Sequence, residues 1–235
     1  MSQPASPTAE EALQVPMPDV ARFVQQLSHD LRNHLNAAEL QSAYLSEVAE
    51  DAALKEEVKR LRAMLAAMGA SLQSLTDSFA PINLTVMPYE AASFMEDLRQ
   101  KIGKQFPAAS GEIEWTIETG SALLSIDPQI LQPAFVELFA NAFQHERAPG
   151  PLRASAVVSG GDFIFTLTEP KTSFTGETER WGLQPLAKLK HGHYGLGLSR
   201  TRGVIEAHHG QLRTGFDSAT AALVTTVVLP LGLAD

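Results

Sequence analysis

The stretch that decides the fold is LKEEVKRLRAMLAAMGASLQSLTDSF, residues 54–79. Its apolar residues recur at intervals that alternate between four and three, at Leu54, Val58, Leu61, Leu65, Met68, Leu72, Leu75 and Phe79. Such spacing places apolar side chains along one stripe of a helix and is typical of a coiled-coil seam. The sequence therefore predicts a long amphipathic helix that packs against other helices.

The stretch before it, residues 18–48, contains no glycine and no proline after Pro18. Its apolar and small residues are also three or four positions apart, with His34 and Gln41 in two polar positions, at Val24, Leu27, Leu31, Ala38, Leu45 and Val48. A short polar link around residues 50–51 predicts an antiparallel helical hairpin. One hairpin covers little of its own apolar stripe, which predicts a homodimer with a four-helix bundle. The alternative is that the hairpin packs on the C-terminal part of its own chain.

From Pro81 onward the pattern changes to short strands and helices. Helices are predicted over 89–105, 128–144 and 196–209, and strands over 113–117, 123–126, 152–158, 162–168, 211–216 and 221–229, with a loop over 170–194. Gly210 is expected to end the last helix. The predicted fold class is α+β: a disordered leader over 1–17, an antiparallel helical hairpin over 18–80 and an α/β sandwich over 81–235.

Composition excludes several classes of function. The formal net charge of -9 argues against nucleic acid and anionic membrane surfaces as partners, because both would repel the chain. There is no cysteine, which excludes disulfides, thiolate metal sites and cysteine nucleophiles. No apolar run approaches the roughly 18 residues that span a bilayer, and residues 1–17 lack the features of a signal peptide. These features predict a cytoplasmic protein.

The first motif that carries chemistry is SHDLRNHL, residues 28–35. His29 falls between the seam positions Leu27 and Leu31, so its side chain is expected to point outward. Asp30 can accept a proton from one ring nitrogen of His29, which leaves the other nitrogen free to attack phosphorus. Asn33 lies one helical turn further along the same face.

The motif resembles the phosphoacceptor box of bacterial histidine kinases. The resemblance implies that His29 accepts a phosphoryl group, and that Asn33 helps to position a water that dephosphorylates a response regulator. His34 stands where the family usually has proline, so this helix lacks a built-in kink. As a seam residue, His34 is expected at the bundle interface.

A second motif is ELFANAFQH, residues 137–145. Glu137 and Asn141 are four residues apart, hence on one face of a helix, and their oxygens are ligands that Mg²⁺ prefers. The motif resembles the asparagine box of the same kinases and of the gyrase, Hsp90 and MutL ATPases. The resemblance implies that Asn141 binds Mg²⁺, that Glu137 is the base or holds a water, and that His145 faces the phosphates of ATP.

A third motif, HYGLGLS at residues 193–199, precedes a predicted helix that ends in EAHHGQ. Close glycines let a backbone approach phosphate, and the following helix N-terminus supplies free N–H groups. It resembles the second glycine box of histidine kinases, which implies that Gly195 and Gly197 bind the nucleotide. His193 replaces the first glycine of that box.

The stretch LTEPKTSF, residues 167–174, corresponds to the first glycine box, in which an aspartate of the family reads the base. Glu169 stands in place of that aspartate, and Lys171 and Ser173 replace two glycines. The longer Glu169 side chain would push its carboxylate into adenine, and a mispaired buried polar group costs about 1–3 kcal/mol. A loop with a different course, in which Lys171 meets phosphate, is the alternative.

Together the motifs predict a protein-histidine kinase of a two-component system that uses ATP and Mg²⁺. The γ-phosphoryl group would pass to His29 and then to an aspartate on the receiver domain of a response regulator. Two alternatives remain open: an ATP-independent phosphotransferase or scaffold of a phosphorelay, and a phosphatase that relies on Asn33. A gyrase- or Hsp90-type ATPase would leave the histidine box unexplained. No sensor domain is recognisable, so input is expected from the leader or from a separate sensor protein.

Overall fold

The computed structural model describes residues 16–144, 147–174, 182–183 and 195–232. The chain divides into two compact units, Met1–Pro81 and Ile82–Asp235. Residues 1–15 of the predicted leader lie outside the described residues. Within those ranges, no helix is both long and apolar enough to cross a membrane.

The first unit contains the two predicted helices, α1 (Met17–Val48) and α2 (Ala52–Phe79). Asp51 begins α2, since its side chain accepts a hydrogen bond from the N–H of Ala53 at 3.0 Å. The helices run antiparallel: Gln25 of α1 donates to the carbonyl of Phe79, and Arg32 donates to Gln73. The predicted hairpin is confirmed.

The apolar stripe of the hairpin is wider than the contact between its helices. Ser28 and Ser42 of α1 are buried, as is Ala49 just after the helix, and they lie on the side on which Gln25 and Arg32 reach α2. Large apolar side chains of both helices are exposed instead, including Phe23, Leu27, Leu31, Leu40, Tyr44, Leu45, Val48, Leu54, Leu61, Met64 and Met68. In α2 the residues of the predicted seam are unequally covered, because Val58 is buried while Leu61 is exposed.

The second unit is the predicted α/β sandwich. Its elements are β1 (Met87–Glu90), α3 (Ala91–Gln105), β2 (Ile113–Glu118), β3 (Leu123–Ile126), α4 (Pro128–Gln144), β4 (Leu152–Ser159), β5 (Asp162–Pro170), α5 (Gly197–Ala207), β6 (Gln211–Asp217) and β7 (Ala222–Pro230). A five-stranded sheet has the order β2-β4-β5-β7-β6, in which β2 and β4 are parallel and the other pairs antiparallel. Strands β1 and β3 form a separate antiparallel pair. The α+β fold class is confirmed.

Aromatic side chains hold the helices on the sheet. Phe135 of α4 contacts Phe94 of α3 edge-to-face, with ring centroids 5.2 Å apart, and Phe165 of β5 at 5.0 Å. Phe163 and Phe165 are fully buried, while the residues between and beside them on β5 are partly exposed. This alternation means that one face of the sheet is covered by helices.

Helix α3 and strand β5 have boundaries that differ from the sequence-based prediction. Helix α3 begins at Ala91, because residues 87–90 pair with β3 as the short strand β1. Strand β5 continues to Pro170, where a loop was predicted to start, and Pro170 pairs with Ala222 of β7. The N–H of Lys171 then donates to the carbonyl of Ala221 at 2.9 Å.

The prediction that Gly210 ends α5 as its stop residue was wrong. His209 adopts the left-handed conformation, with φ 59°. Its N–H donates to Glu206, and the N–H of Gly210 donates to Ile205, which is the paired arrangement of a Schellman motif. Position 210 requires glycine for a steric reason, since a Cβ there would lie 2.6 Å from the carbonyl oxygen of Val228.

Candidate functional site

The histidine of the first motif lies exposed on α1, as its position between seam residues predicted. The side chain of His29 is 68% exposed, and its Nδ1 lies 3.2 Å from Oδ1 of Asp30. Gln26 donates to the same carboxylate oxygen at 3.0 Å and so holds Asp30 in place. With the proton on Nδ1 directed to Asp30, Nε2 is the ring nitrogen that carries a lone pair.

The neighbours of His29 on the hairpin surface are polar. Asn33, one turn further along α1, is exposed, and so is His34. Arg32, between His29 and Asn33 in sequence, donates to Gln73 of α2 at 2.7 Å and thereby ties this part of α1 to α2. The expected place of His34 at a bundle interface stays a prediction.

In the second unit, Glu137 and Asn141 lie one turn apart on α4, and both are half-buried. The side-chain N–H of Asn141 donates to the backbone carbonyl of Glu137 at 2.8 Å, and Nδ2 lies 3.3 Å from Oε1 of the same residue. This arrangement fixes the amide by its nitrogen and leaves its oxygen as the atom suited to a cation.

Helix α5 packs directly on this part of α4. A Cβ placed on Gly197 would lie 2.0 Å from Oε1 of Glu137, so only glycine fits without displacing the carboxylate. One turn further, Thr201 Oγ1 donates to the carbonyl of Ala134 at 3.4 Å. Gly195 has φ +66°, a left-handed conformation that glycine adopts without strain. The fold thus brings together the second and third motifs.

The residues of this cluster fit a magnesium ion that arrives with a phosphate-bearing substrate. Among the residues that the structure describes, no group of three or more His, Cys, Asp or Glu side chains forms a metal site. Mg²⁺ commonly binds through one or two protein oxygens, with substrate phosphates and waters as its other ligands. Glu137 and Asn141 can supply those protein oxygens, and the N-terminus of α5 offers N–H groups to phosphate.

At the end of β5 the arrangement differs from the family pattern. Lys171 Nζ lies 2.5 Å from Oε1 of Glu169, and both side chains are only 8% exposed. Burial raises the pKa of Glu169 above its ordinary value, while the charges of Lys171 and Arg147 act in the opposite direction. Lys171 therefore points to Glu169 inside the protein, and the alternative in which it meets phosphate stays a prediction.

Two further polar residues make contacts that sequence reasoning missed. Arg147, just after α4, donates to Glu112 at 2.5 Å, and its guanidinium lies 5.7 Å from the ring centroid of Phe143. His208 is buried, donates from Nδ1 to the carbonyl of Val204 and accepts from the N–H of Asp127 at 3.0 Å. Arg147 lies in no motif, and His208 lies in the EAHHG run, which in the sequence indicates only the end of a helix.

Known proteins resemble this chain in sequence and in fold. No protein-family model matches the chain. The adaptive-response sensory kinase SasA of Synechococcus sp. (strain JA-3-3Ab) is 22% identical over 204 residues, which cover 81% of this chain and 54% of the relative. Full-length ShkA, solved in complex with AMPPNP, superposes with a TM-score of 0.70 and 17% identity, over 91% of this chain and 46% of that one.

The chain has the histidine kinase fold. The Acinetobacter baumannii histidine kinase AdeS gives a TM-score of 0.50 at 16% identity and covers 87% of this chain and 98% of that one. The resemblance to sensor histidine kinases is thereby confirmed. This chain spans about half the length of SasA and of ShkA.

Within the histidine kinase fold, three residues of the predicted motifs lie outside the described residues: His145, His193 and Tyr194. The roles proposed from the resemblance for His29, Asp30, Asn33, Glu137, Asn141, Glu169, Gly195 and Gly197 remain predictions. The structure brings Glu137, Asn141 and Gly197 into contact, and it pairs Glu169 with Lys171.

Proposed function

We propose that this chain is a protein-histidine kinase transmitter of a two-component system. It would move the γ-phosphoryl group of a magnesium-bound nucleoside triphosphate to His29, and from there to an aspartate on the receiver domain of a response regulator. One observation carries the proposal: an exposed histidine is oriented by a carboxylate, in a chain whose second unit joins Glu137, Asn141 and Gly197 in one cluster.

The proposed reaction at His29 needs one nitrogen lone pair and one restrained proton. Nε2 attacks the γ-phosphorus while the bond from that phosphorus to the bridging oxygen breaks and the nucleoside diphosphate leaves. Asp30 holds the Nδ1 proton, so the positive charge that develops on the ring is stabilised by an adjacent carboxylate. Gln26, which donates to Asp30, keeps that carboxylate oriented.

The second unit would bind and orient the triphosphate. Asn141 would offer its amide oxygen to the metal, and Glu137 would bind the metal through a water or restrain a proton nearby. A bound Mg²⁺ would neutralise phosphate charge during transfer. Gly197 keeps space for the Glu137 carboxylate, and the α5 N-terminus would face the phosphates.

The exposed apolar residues of the hairpin support a homodimer. Phe23, Leu27, Leu31, Leu61 and Met68 are each at least 40% exposed. A second hairpin would cover these side chains, and each fully buried side chain of this size contributes roughly 1.5–3 kcal/mol. A four-helix bundle is therefore part of the proposal, as are a cytoplasmic location and a separate sensor protein.

One observation favours a second function. By the resemblance to the first glycine box, the buried Glu169–Lys171 pair would stand where the family reads adenine, and such a change suits a chain that receives phosphate without ATP. In that case His29 would pass phosphoryl groups between receiver domains, and the second unit would serve as a scaffold for binding a response regulator.

The experiment that separates the two functions follows phosphate on the purified chain. The protein is incubated with Mg²⁺ and γ-labelled ATP, alongside His29→Gln and the control His34→Gln, a neighbouring exposed histidine on the same helix. We expect acid-labile, alkali-stable label on the wild type and on His34→Gln, and none on His29→Gln. Absence of label from the wild type would contradict the kinase. Label acquired by His29 from a phosphorylated receiver domain would then establish the phosphotransferase.

A further inference from the structure

Helix α5 is attached to α4 at both of its ends. At the N-terminal end, Gly197 leaves room for the carboxylate of Glu137 because it has no Cβ. At the C-terminal end, the backbone N–H of Asp127, the residue just before α4, donates to Nε2 of His208 at 3.0 Å. Both residues of this second contact are buried. The two contacts are about 16 Å apart along α5, and because a helix is stiff over this length, a shift of one end moves the other.

A third contact, between these two, shows that the helices run antiparallel in one register. Thr201 Oγ1 donates to the carbonyl of Ala134 at 3.4 Å. From Thr201 to His208 the chain of α5 advances by seven residues, and from Ala134 to Asp127 the chain of α4 goes back by seven. The hydrogen bond at His208 is the shorter of the two, and it therefore fixes the register more firmly.

The two ring nitrogens of His208 have opposite roles. Nδ1 lies 2.8 Å from the carbonyl of Val204, which can only accept, so Nδ1 carries the proton. Nε2 faces a backbone N–H, which can only donate, so Nε2 carries the lone pair. Because the partners are of opposite kinds, they select one neutral tautomer and one orientation of the ring. His208 is thus a hydrogen-bond acceptor of fixed direction at the end of α5.

The partner of His208 is itself held in place by its side chain. Oδ1 of Asp127 accepts from the N–H of Gln129 in the first turn of α4 at 3.0 Å, and Oδ2 accepts from the N–H of Thr85 at 2.8 Å. The segment that contains Thr85 also approaches α5, since a Cβ on Gly203 would lie 3.1 Å from Cδ1 of Ile82. The N–H that meets His208 therefore has a fixed position relative to α4.

We propose that His208 and Asp127 are positioning residues for the candidate nucleotide site. Their hydrogen bond sets the axial register of α5 on α4, and thereby the approach of Gly197 to the carboxylate of Glu137. When this bond is lost, α5 can shift along α4, and its N-terminus moves with it. The expected effect on phosphoryl transfer rests on the proposed function, whereas the effect on the contact of Gly197 with Glu137 does not.

The test compares two replacements of His208. His208→Phe fills a similar volume but removes the acceptor, which leaves the buried N–H of Asp127 unpaired. His208→Gln retains an acceptor of similar reach. We expect His208→Phe to slow labelling of His29 by about tenfold at saturating Mg²⁺-ATP, and His208→Gln to recover most of the wild-type rate. Ile102→Val, which removes one buried methylene from α3, controls for lowered stability and should be labelled at the wild-type rate.

A double-variant cycle tests whether His208 acts through Gly197. If His208→Phe already releases the register, the Cβ added by Gly197→Ala should cost less in that background than in the wild type. We expect the loss of labelling rate in the double variant to be smaller than the product of the two single losses by about threefold or more. Gly203→Ala on the same helix is the control, and it should leave the rate of His208→Phe unchanged.

Nuclear magnetic resonance gives a readout that needs no activity. In a long-range ¹H–¹⁵N spectrum, Nδ1 of His208 should be protonated and Nε2 unprotonated. His208→Phe should shift the resonances of the Gly197 N–H and of the Asn141 side-chain amide, which contacts Glu137, whereas Ile102→Val should shift neither. A protonated Nε2, unmoved Gly197 and Asn141 resonances, or losses that multiply in the cycle would each overturn the inference.

The remaining outcomes separate this inference from the proposed function. If the Gly197 and Asn141 resonances move but the wild type acquires no label from ATP, the kinase function fails while the positioning role of His208 is supported. If His208→Phe does not fold, His208→Asn replaces it under the same criteria. That side chain keeps a donor for Val204 but is too short to reach the N–H of Asp127.

Discussion

The two ends of the candidate nucleotide site differ in what holds their side chains. At the phosphate end, the amide of Asn141 contacts Glu137, and Gly197 leaves room for the Glu137 carboxylate because it has no Cβ. The side chains of Glu137 and Asn141 are half-buried. At the base end, Glu169 and Lys171 form a buried ion pair. The side chains of the first end are partly accessible to a ligand, whereas those of the second end are buried against each other.

The difference teaches that the two tasks of such a site are separable. Binding a metal and phosphates depends on ligand oxygens and on the close approach of backbone N–H groups to phosphate. A glycine and a helix N-terminus provide that approach whatever base the nucleotide carries. Selecting a base depends on a polar group that stays unsatisfied until the right base arrives. Four predictions test this contrast, taken from the largest expected effect to the smallest.

The largest effect is expected on stability, at the base end. Lys171→Met leaves the carboxylate of Glu169 buried without its partner, which should reduce the free energy of unfolding by about 3–5 kcal/mol near neutral pH. Chemical denaturation with urea measures it. Glu137→Gln, the corresponding change at the half-buried phosphate end, should cost less than about 1 kcal/mol.

A matched rescue tests the stated cause of this loss. Adding Glu169→Gln to Lys171→Met removes the uncompensated charge, and most of the lost stability should return. If the double variant is as unstable as the single one, packing of the lysine stem and not its charge holds this end together.

The second effect is expected on nucleotide binding, at the phosphate end. Asn141→Ala removes the proposed magnesium ligand and should weaken binding of Mg²⁺-triphosphate by about a hundredfold or more, with a similar loss of His29 labelling. Gln129→Ala, which removes an exposed amide from the same helix, is the control and should change neither. Equal losses in both variants would show that α4, and not the ligand, had been disturbed.

The third effect concerns the close contact of α5 with α4. Gly197→Ala would place a Cβ 2.0 Å from Oε1 of Glu137, and the carboxylate is the part that can move. We expect His29 labelling to slow by roughly tenfold, since a displacement of about 1 Å is enough for such a loss. The thermal transition should change little, because alanine is also the better helix former.

Gly203→Ala on the same helix is the comparison for this variant. Its Cβ would lie 3.1 Å from Cδ1 of Ile82, a contact remote from Glu137. Labelling should stay at the wild-type rate. A slow Gly203→Ala variant would mean that α5 responds as a whole to added methyl groups, and the specific role of the Gly197–Glu137 contact would be contradicted.

Sequence reasoning recovered the features that depend on local spacing. Alternation by three and four predicted both helices of the hairpin, and the four-residue interval between Glu137 and Asn141 placed them on one face. The exposure of His29 followed from its position between two seam residues. In each case the periodicity of the helix alone determines where a side chain points.

The features that were missed depend on distant parts of the chain. Strand β1 contains a proline and only four residues, and it exists because β3 pairs with it. Strand β5 extends past its predicted end since β7 offers Ala222 as a partner. His209 adopts the left-handed conformation, and Gly210 lies where β7 approaches closely. The ion pair of Glu169 with Lys171 likewise needs the sheet to bring both side chains inward.

The smallest effect is expected in the pH dependence of stability. Because burial raises the pKa of Glu169 above its ordinary value of 4.5, the folded chain binds a proton more strongly here than the unfolded chain does. This site therefore contributes most stability below that ordinary value, and the contribution is lost as pH rises through the folded pKa. Its slope is limited to one proton, about 1.4 kcal/mol per pH unit.

The exposed carboxylate of Asp217 has a pKa shift of the opposite sign and serves as the comparison. Hydrogen bonds from Thr220 and from the N–H of Ala219 lower the pKa of Asp217, so its contribution is present at neutral pH and is lost as pH falls. Unfolding in urea between pH 3 and pH 7 should show a weaker decline with rising pH in Glu169→Gln/Lys171→Met, and a weaker decline with falling pH in Asp217→Asn. If the first variant keeps the wild-type profile, the carboxylate of Glu169 is not strained by burial, and the base end would be more open than the ion pair implies.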